Sequence, residues 1–198
     1  MRSRSRAPIT ERAQLRALAS PARQELIDLL VRMGPSSAAA LSRVVGRPAD
    51  GLYYHLRALQ RVGLVREAGT EDGTGRRGAL YEAVHREPEL RHDTARGGNS
   101  PAVAAIVSSM LRLGIRDFRR AAATPGVRTR EPGRELWALR VTGRLTPGEV
   151  NEANRRVHAL RSAVGRPGAK GKLYAVTILL VPLERARKRQ RRPRNGRS

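Results

Sequence analysis

Cysteine is missing altogether from the 198 residues. That absence excludes disulfides, thiolate metal sites and a cysteine nucleophile. Aromatics are almost as scarce, with one Trp, one Phe and four Tyr, so each aromatic outside the core is informative. Lysine is nearly absent: three of the 40 basic residues are Lys170, Lys172 and Lys188, and the rest are arginine. Acidic residues number 17, which leaves a net charge of +23. The longest strongly apolar run, 174–183, is too short to span a bilayer as a helix. Nothing resembles a secretory leader, because Met1-Arg2-Ser3-Arg4-Ser5-Arg6 is not followed by an apolar stretch. These absences predict a cytoplasmic protein with no membrane partner.

What is present is positive charge. Such an excess favours a polyanionic partner, because bound cations release counterions from phosphate. An anionic membrane surface is the competing reading. Arginine's fork suits phosphate and guanine, but its dominance is equally explained by a GC-rich coding sequence. The charge is unevenly shared, with a net of +6 over residues 1–100 and +17 over 101–198.

The most telling run is Gly46-Arg47-Pro48-Ala49-Asp50-Gly51-Leu52-Tyr53-Tyr54-His55-Leu56-Arg57-Ala58-Leu59. Leu52, Leu56 and Leu59 fall at helical spacing and predict a buried stripe. Asp50, Tyr53, Tyr54 and Arg57 then fall on or near the outward face. A helix over 48–62 with this face suits a major groove; an amphipathic helix with a solvated polar face is the plainer reading.

Its neighbours favour DNA. A helix is expected over 11–19. Ser20-Pro21 reads as an N-cap with proline at the first helical position, opening a second helix that stops at Gly34-Pro35. Ser36 or Ser37 caps a third, which Gly46 closes. Helix, tight turn, helix is the DNA-binding supersecondary order. Strand-like runs 64–68 and 79–84 follow, joined over 69–78 by a loop with four glycines and with Arg76 and Arg77. This reads as a wing whose arginines enter a minor groove or hold phosphates; the alternative is a solvated loop.

Ala17-Leu18-Ala19-Ser20-Pro21-Ala22-Arg23, Leu26-Ile27-Asp28-Leu29-Leu30, Tyr54-His55-Leu56-Arg57-Ala58-Leu59 and Gly63-Leu64-Val65 together resemble the ArsR-type winged helix-turn-helix regulators, over roughly residues 12–85. The resemblance implies a dimeric bacterial transcription regulator. It implies base contacts from Ala49, Asp50, Tyr53 and Tyr54, and mostly backbone contacts from Arg57, Arg76 and Arg77. Arg47 and His55 complete the expected DNA-binding set. His55 either bonds a phosphate or packs as a neutral ring, and packing is preferred. Asp50 either accepts from cytosine N4 or caps the helix, and the cap is preferred. Metal-sensing members use cysteine. The remaining candidates here, His85, His92, Asp93 and His158, follow no ligand spacing, so no metal and no cofactor are expected.

The second half reads as a small α+β module. Residues 86–101 look like a linker. A helix over 102–122 carries the stripe Val103, Ile106, Val107, Met110, Leu111, Ile115 and Phe118, which serves either as core or as a homodimer helix. A strand over 135–142 puts Trp137, Leu139 and Val141 on one face, with Trp137 expected in the core. Thr146-Pro147-Gly148-Glu149 forms a capping box opening a helix with Val150, Ala153, Val157, Leu160 and Val164 as its seam. Residues 173–181 read as a strand buried on both faces. Residues 185–198 hold eight basic and no acidic side chains, and are either a DNA-binding arm or a solubilising tail.

The expected architecture is therefore α+β and mostly α. A disordered basic arm (1–10) precedes a winged helix-turn-helix (11–85), a linker (86–101), a dimerisation and effector module (102–183) and a disordered basic tail (184–198). The expected function is a sequence-specific DNA-binding transcriptional repressor acting as a homodimer on a double-stranded operator, with a small-molecule effector left open. A nonspecific nucleic-acid-binding or ribosome-associated protein is the alternative. No Ser/His/Asp order, paired acids or phosphate loop points to an enzyme.

Overall fold

Leucines spaced three and four apart pull residues 11–64 into a helical cluster, against which a small sheet closes. The computed structural model describes residues 8–9, 11–70, 78–85, 89–90, 100–164 and 171–183. In chain order the elements are β1 (Pro8–Ile9), α1 (Arg12–Leu18), α2 (Pro21–Met33), β2 (Ser36–Ser37), α3 (Ala38–Val45), α4 (Ala49–Arg61), β3 (Val65–Thr70) and β4 (Ala79–Ala83), followed by β5 (Glu89–Leu90), α5 (Ser100–Ala122) and α6 (Pro147–Val164). The molecule is mostly helical, with an N-terminal helix-turn-helix and a wing.

Leu15, Leu26, Leu30, Leu41, Leu52, Leu56 and Leu59 are buried together between α1, α2, α3 and α4. Burying that many leucine side chains supplies most of the drive to fold, at about 1.5–3 kcal/mol each. In α2, Pro21 occupies the first turn, and the Ser20 side chain makes no capping hydrogen bond. Ser37 does cap α3, accepting from the Ala40 amide at 3.3 Å.

The three-stranded antiparallel sheet runs in the order β2-β4-β3. Arg66 faces Glu82 across β3 and β4, and their side chains pair at 2.6 Å. The ladder slips between Glu67 and Gly69, an irregularity of the kind that locally bends and twists a ribbon. Residues 71–77 at the wing tip lie outside the described residues.

The expected disordered arm over 1–10 is corrected at its end. Pro8–Ile9 pairs in parallel with Glu89–Leu90, and Ile9 is fully buried in the core. An isoleucine close to leucine-rich helices stabilises more when docked than when left in water. The pairing also brings part of the expected 86–101 linker back onto the domain.

Helix α5 packs its inner side on α1 and α2. Ile106 is buried there in the core cluster, while the Gln24 amide donates to Leu18 O at 2.8 Å and to Ile106 O at 3.0 Å. The stripe is thus core on one side, and Leu111, Ile115 and Phe118 remain exposed on the other.

The C-terminal half departs most from expectation. The capping box forms: the Thr146 amide donates to Glu149 Oε2 at 2.7 Å and the Glu149 amide to Thr146 Oγ1 at 3.4 Å. Yet α6 buries no residue. The strands expected over 135–142 and 173–181 carry no ladder among the described residues. Trp137 is exposed and not in the core, with the Arg134 guanidinium 4.0 Å above its ring. Apolar pattern alone names a face that wants burial; it does not supply the surface that buries it.

One polar knot orders this half. Glu135 accepts from the Arg128 amide at 3.0 Å, Lys172 Nζ at 2.9 Å and the Tyr174 hydroxyl at 2.7 Å. These donors, the Arg128 amide first, hold its carboxyl down to about 2. With the folded value depressed, the knot is intact above the ordinary carboxylate value of 4.5 and loosens as pH falls toward 2. The carboxyl carbon of Glu135, followed by NMR, is expected to titrate near pH 2; a midpoint at the ordinary value would mean that the knot does not persist.

Candidate nucleic-acid interface

Helix α4 owes its placement to the turn before it. Gly46 adopts the left-handed conformation, φ 70°, that ends α3, where a side chain would be strained. Its amide closes on Ser42 O at 2.8 Å, and the Ser42 hydroxyl donates to Arg47 O. Pro48 then occupies the N-cap position of α4 and offers no side-chain cap. The preferred reading of Asp50 as that cap is therefore corrected. Asp50 lies exposed in the first turn, where its charge suits the positive end of the helix dipole.

Leu52, Leu56 and Leu59 are buried as expected, which turns the other side of α4 outward. Asp50, Tyr53, Tyr54 and Arg57 are exposed, and Tyr54 retains 65% of its surface. Exposed tyrosines beside an arginine on one helix face suit a surface of bases and phosphates. Ala49 instead packs partly against the core. Arg61, also exposed, continues the row one turn beyond Arg57; the i, i+4 step from Arg57 is the sequence signal that marks it.

His55 is half-buried, its ring edge-on to Tyr54 with centroids 5.3 Å apart, and its Nδ1 has no hydrogen-bond partner among the described residues. Desolvation, then the nearby Arg23 and Arg47 charges, push it below its ordinary value. The ring is therefore neutral at physiological pH, which supports packing over phosphate pairing.

Arg47 is not a free cation. It pairs with Glu25 on α2, and the same carboxylate takes Arg116 of α5 at 2.6 Å. The turn into α4, helix α2 and helix α5 are thereby fastened through one side chain, a link that local sequence spacing gives no way to see. Arg76 and Arg77 lie outside the described residues, as do His92 and Asp93. His85 follows β4, and His158 is exposed on α6. Among the described residues no helix is long and apolar enough to cross a membrane.

Comparison with protein families places a helix-turn-helix domain at residues 18–68, which covers α2, α3, α4 and the start of the wing. That family is typical of ArsR-like regulators and is generally non-enzymatic. The match spans about a quarter of the chain. It makes DNA binding and transcriptional regulation the coarse assignment. No curated protein matches the chain.

Proposed function

We propose that the protein is a sequence-specific transcriptional repressor of the ArsR-like kind, acting as a homodimer on a double-stranded operator. Helix α4 lies in the major groove and reads bases through Tyr53, Tyr54 and Asp50, with Arg57 and Arg61 on the flanking phosphates. The wing follows the adjacent minor groove or backbone through Arg76 and Arg77. Two copies present two readers to half-sites about one helical turn apart, meeting through the outer side of α5 at Leu111, Ile115 and Phe118. The reading is carried by one observation: α4 holds its leucines inward and a tyrosine–arginine row outward, immediately after a helix-turn-helix turn.

The test compares a selected operator with random duplex. A repressor retains a preference of at least ~10³ near physiological salt; equal affinity for both would favour the nonspecific reading. Truncation after Leu183 removes eight basic side chains. It is expected to flatten the salt dependence by up to about 0.9 for each phosphate that is no longer neutralised, while leaving the operator preference in place.

A further inference from the structure

Residues 136–145 and 172–183 form no helix, turn or ladder, and among the described residues their backbones have no backbone partner. Their side chains are those of strands. On the first run Trp137, Leu139 and Val141 alternate with Ala138, Arg140 and Thr142, so one face is apolar. On the second both faces are apolar, and both keep about half of their surface open: Val176, Ile178 and Leu180 are exposed on one, Leu179 and Val181 on the other. Leu139 leaves 77% of its surface in water. Two strand-like runs flanking α6 give the order of a strand–helix–strand unit, with their starts tied side by side through Glu135, Lys172 and Tyr174.

This surface is too large to stand open. Twelve large apolar side chains on the two runs each keep 42–77% of their surface in water, whereas the largest apolar patch of an ordinary monomer is roughly 300–600 Å². It is continuous with the outer side of α5, because the second run crosses that helix at Gly114, where an added Cβ would meet Thr177 Oγ1 at 3.5 Å. The stretches that join or flank the described elements do not bring the apolar side chains to cover it. Residues 1–7, 71–77, 86–99, 165–170 and 184–198 are mainly polar, charged or glycine, and the last stretch has Ala186 as its one aliphatic side chain besides a proline.

We infer that a second copy of the chain covers this surface, the runs 136–142 and 173–181 of each protomer pairing with those of the other to form an intermolecular sheet. The occupant must bring both strand edges and a large apolar face, and the same segment of another copy carries both. Such an isologous contact closes at two copies. A standard interface takes about 800 Å² from each partner, and the exposed side chains of the two runs are the part of the chain suited to supply it. The inference rests on the two-fold reading above for its symmetry, and it moves the weight of the interface from α5 to the C-terminal runs.

The experiment uses the full chain and the double variant Leu139→Asp, Ile178→Asp. Both side chains are exposed in the single protomer, so the helix-turn-helix does not depend on them. Sedimentation is expected to show a dimer for the wild type and at least a ~100-fold weaker dimer for the variant, helical circular dichroism being unchanged. Amides of 136–142 and 173–181 are expected to exchange slowly in the wild type and rapidly in the variant. A wild-type monomer at about 100 μM, an unweakened variant dimer, or a dimer lacking that amide protection would overturn the proposal. So would protection that appears only with another macromolecule or a lipid vesicle. Binding to a half-site duplex is read on the same samples. An intact, amide-protected dimer that ignores the operator sinks the DNA reading alone, while a half-site binder that never pairs sinks this one alone.

Discussion

Leu56→Ala is expected to lower the unfolding free energy by about 2–5 kcal/mol, out of a total near 5–15 kcal/mol for a domain of this size. Leu56 has no exposed surface and sits where α4 meets the core cluster. Truncation leaves a cavity that the neighbouring leucines fill only in part, so the lost transfer energy and the cavity term add. Urea denaturation measures it: the midpoint should fall while the slope stays as in the wild type. A loss below about 1 kcal/mol would mean that α4 is not seated on the core, and the outward row would lose its physical basis.

The second large effect is on the opposite side of the same helix. Tyr54→Ala and Arg57→Ala are each expected to weaken operator binding by about 1–3 kcal/mol, with stability changed by less than about 0.5 kcal/mol. Tyr54 and Arg57 are both exposed, hence neither truncation opens a cavity. The two should differ in kind. Removing Tyr54 should erode the preference for operator over random duplex. Removing a phosphate-bound cation at Arg57 should weaken both and reduce the salt slope by about 1. Titration of both duplexes at several salt concentrations checks this, and variants that bind the operator like the wild type would remove α4 as the reader.

The helix-turn-helix was legible because its evidence is local. Leucine spacing, the Ser37 cap, Gly46 and the proline after it each act within a few residues, and all agree on the same elements. The docking of Ile9 was not legible, since two residues are too few to show a period. Arg47 reads as a DNA contact from its place beside α4, but its charge is engaged by Glu25, 22 residues earlier. In the C-terminal half the alternation at Trp137, Leu139 and Val141 predicts a buried strand face, yet all three are exposed. It misleads on where, because a strand pattern is silent on whether the neighbouring strand belongs to the same molecule.

Gln24 and Glu25 are adjacent on α2, and each reaches α5: one through an amide to Ile106 O, the other through a carboxylate to Arg116. The first also holds the end of α1, and the second holds the turn into α4. These two positions act as a pair of rivets between α4 and the helix that leads away from it. In a two-fold assembly such a frame behaves as a caliper with fixed jaws. It would grip half-sites at one separation and helical phase, and adding or deleting a base pair between them would have to be absorbed by bending the DNA.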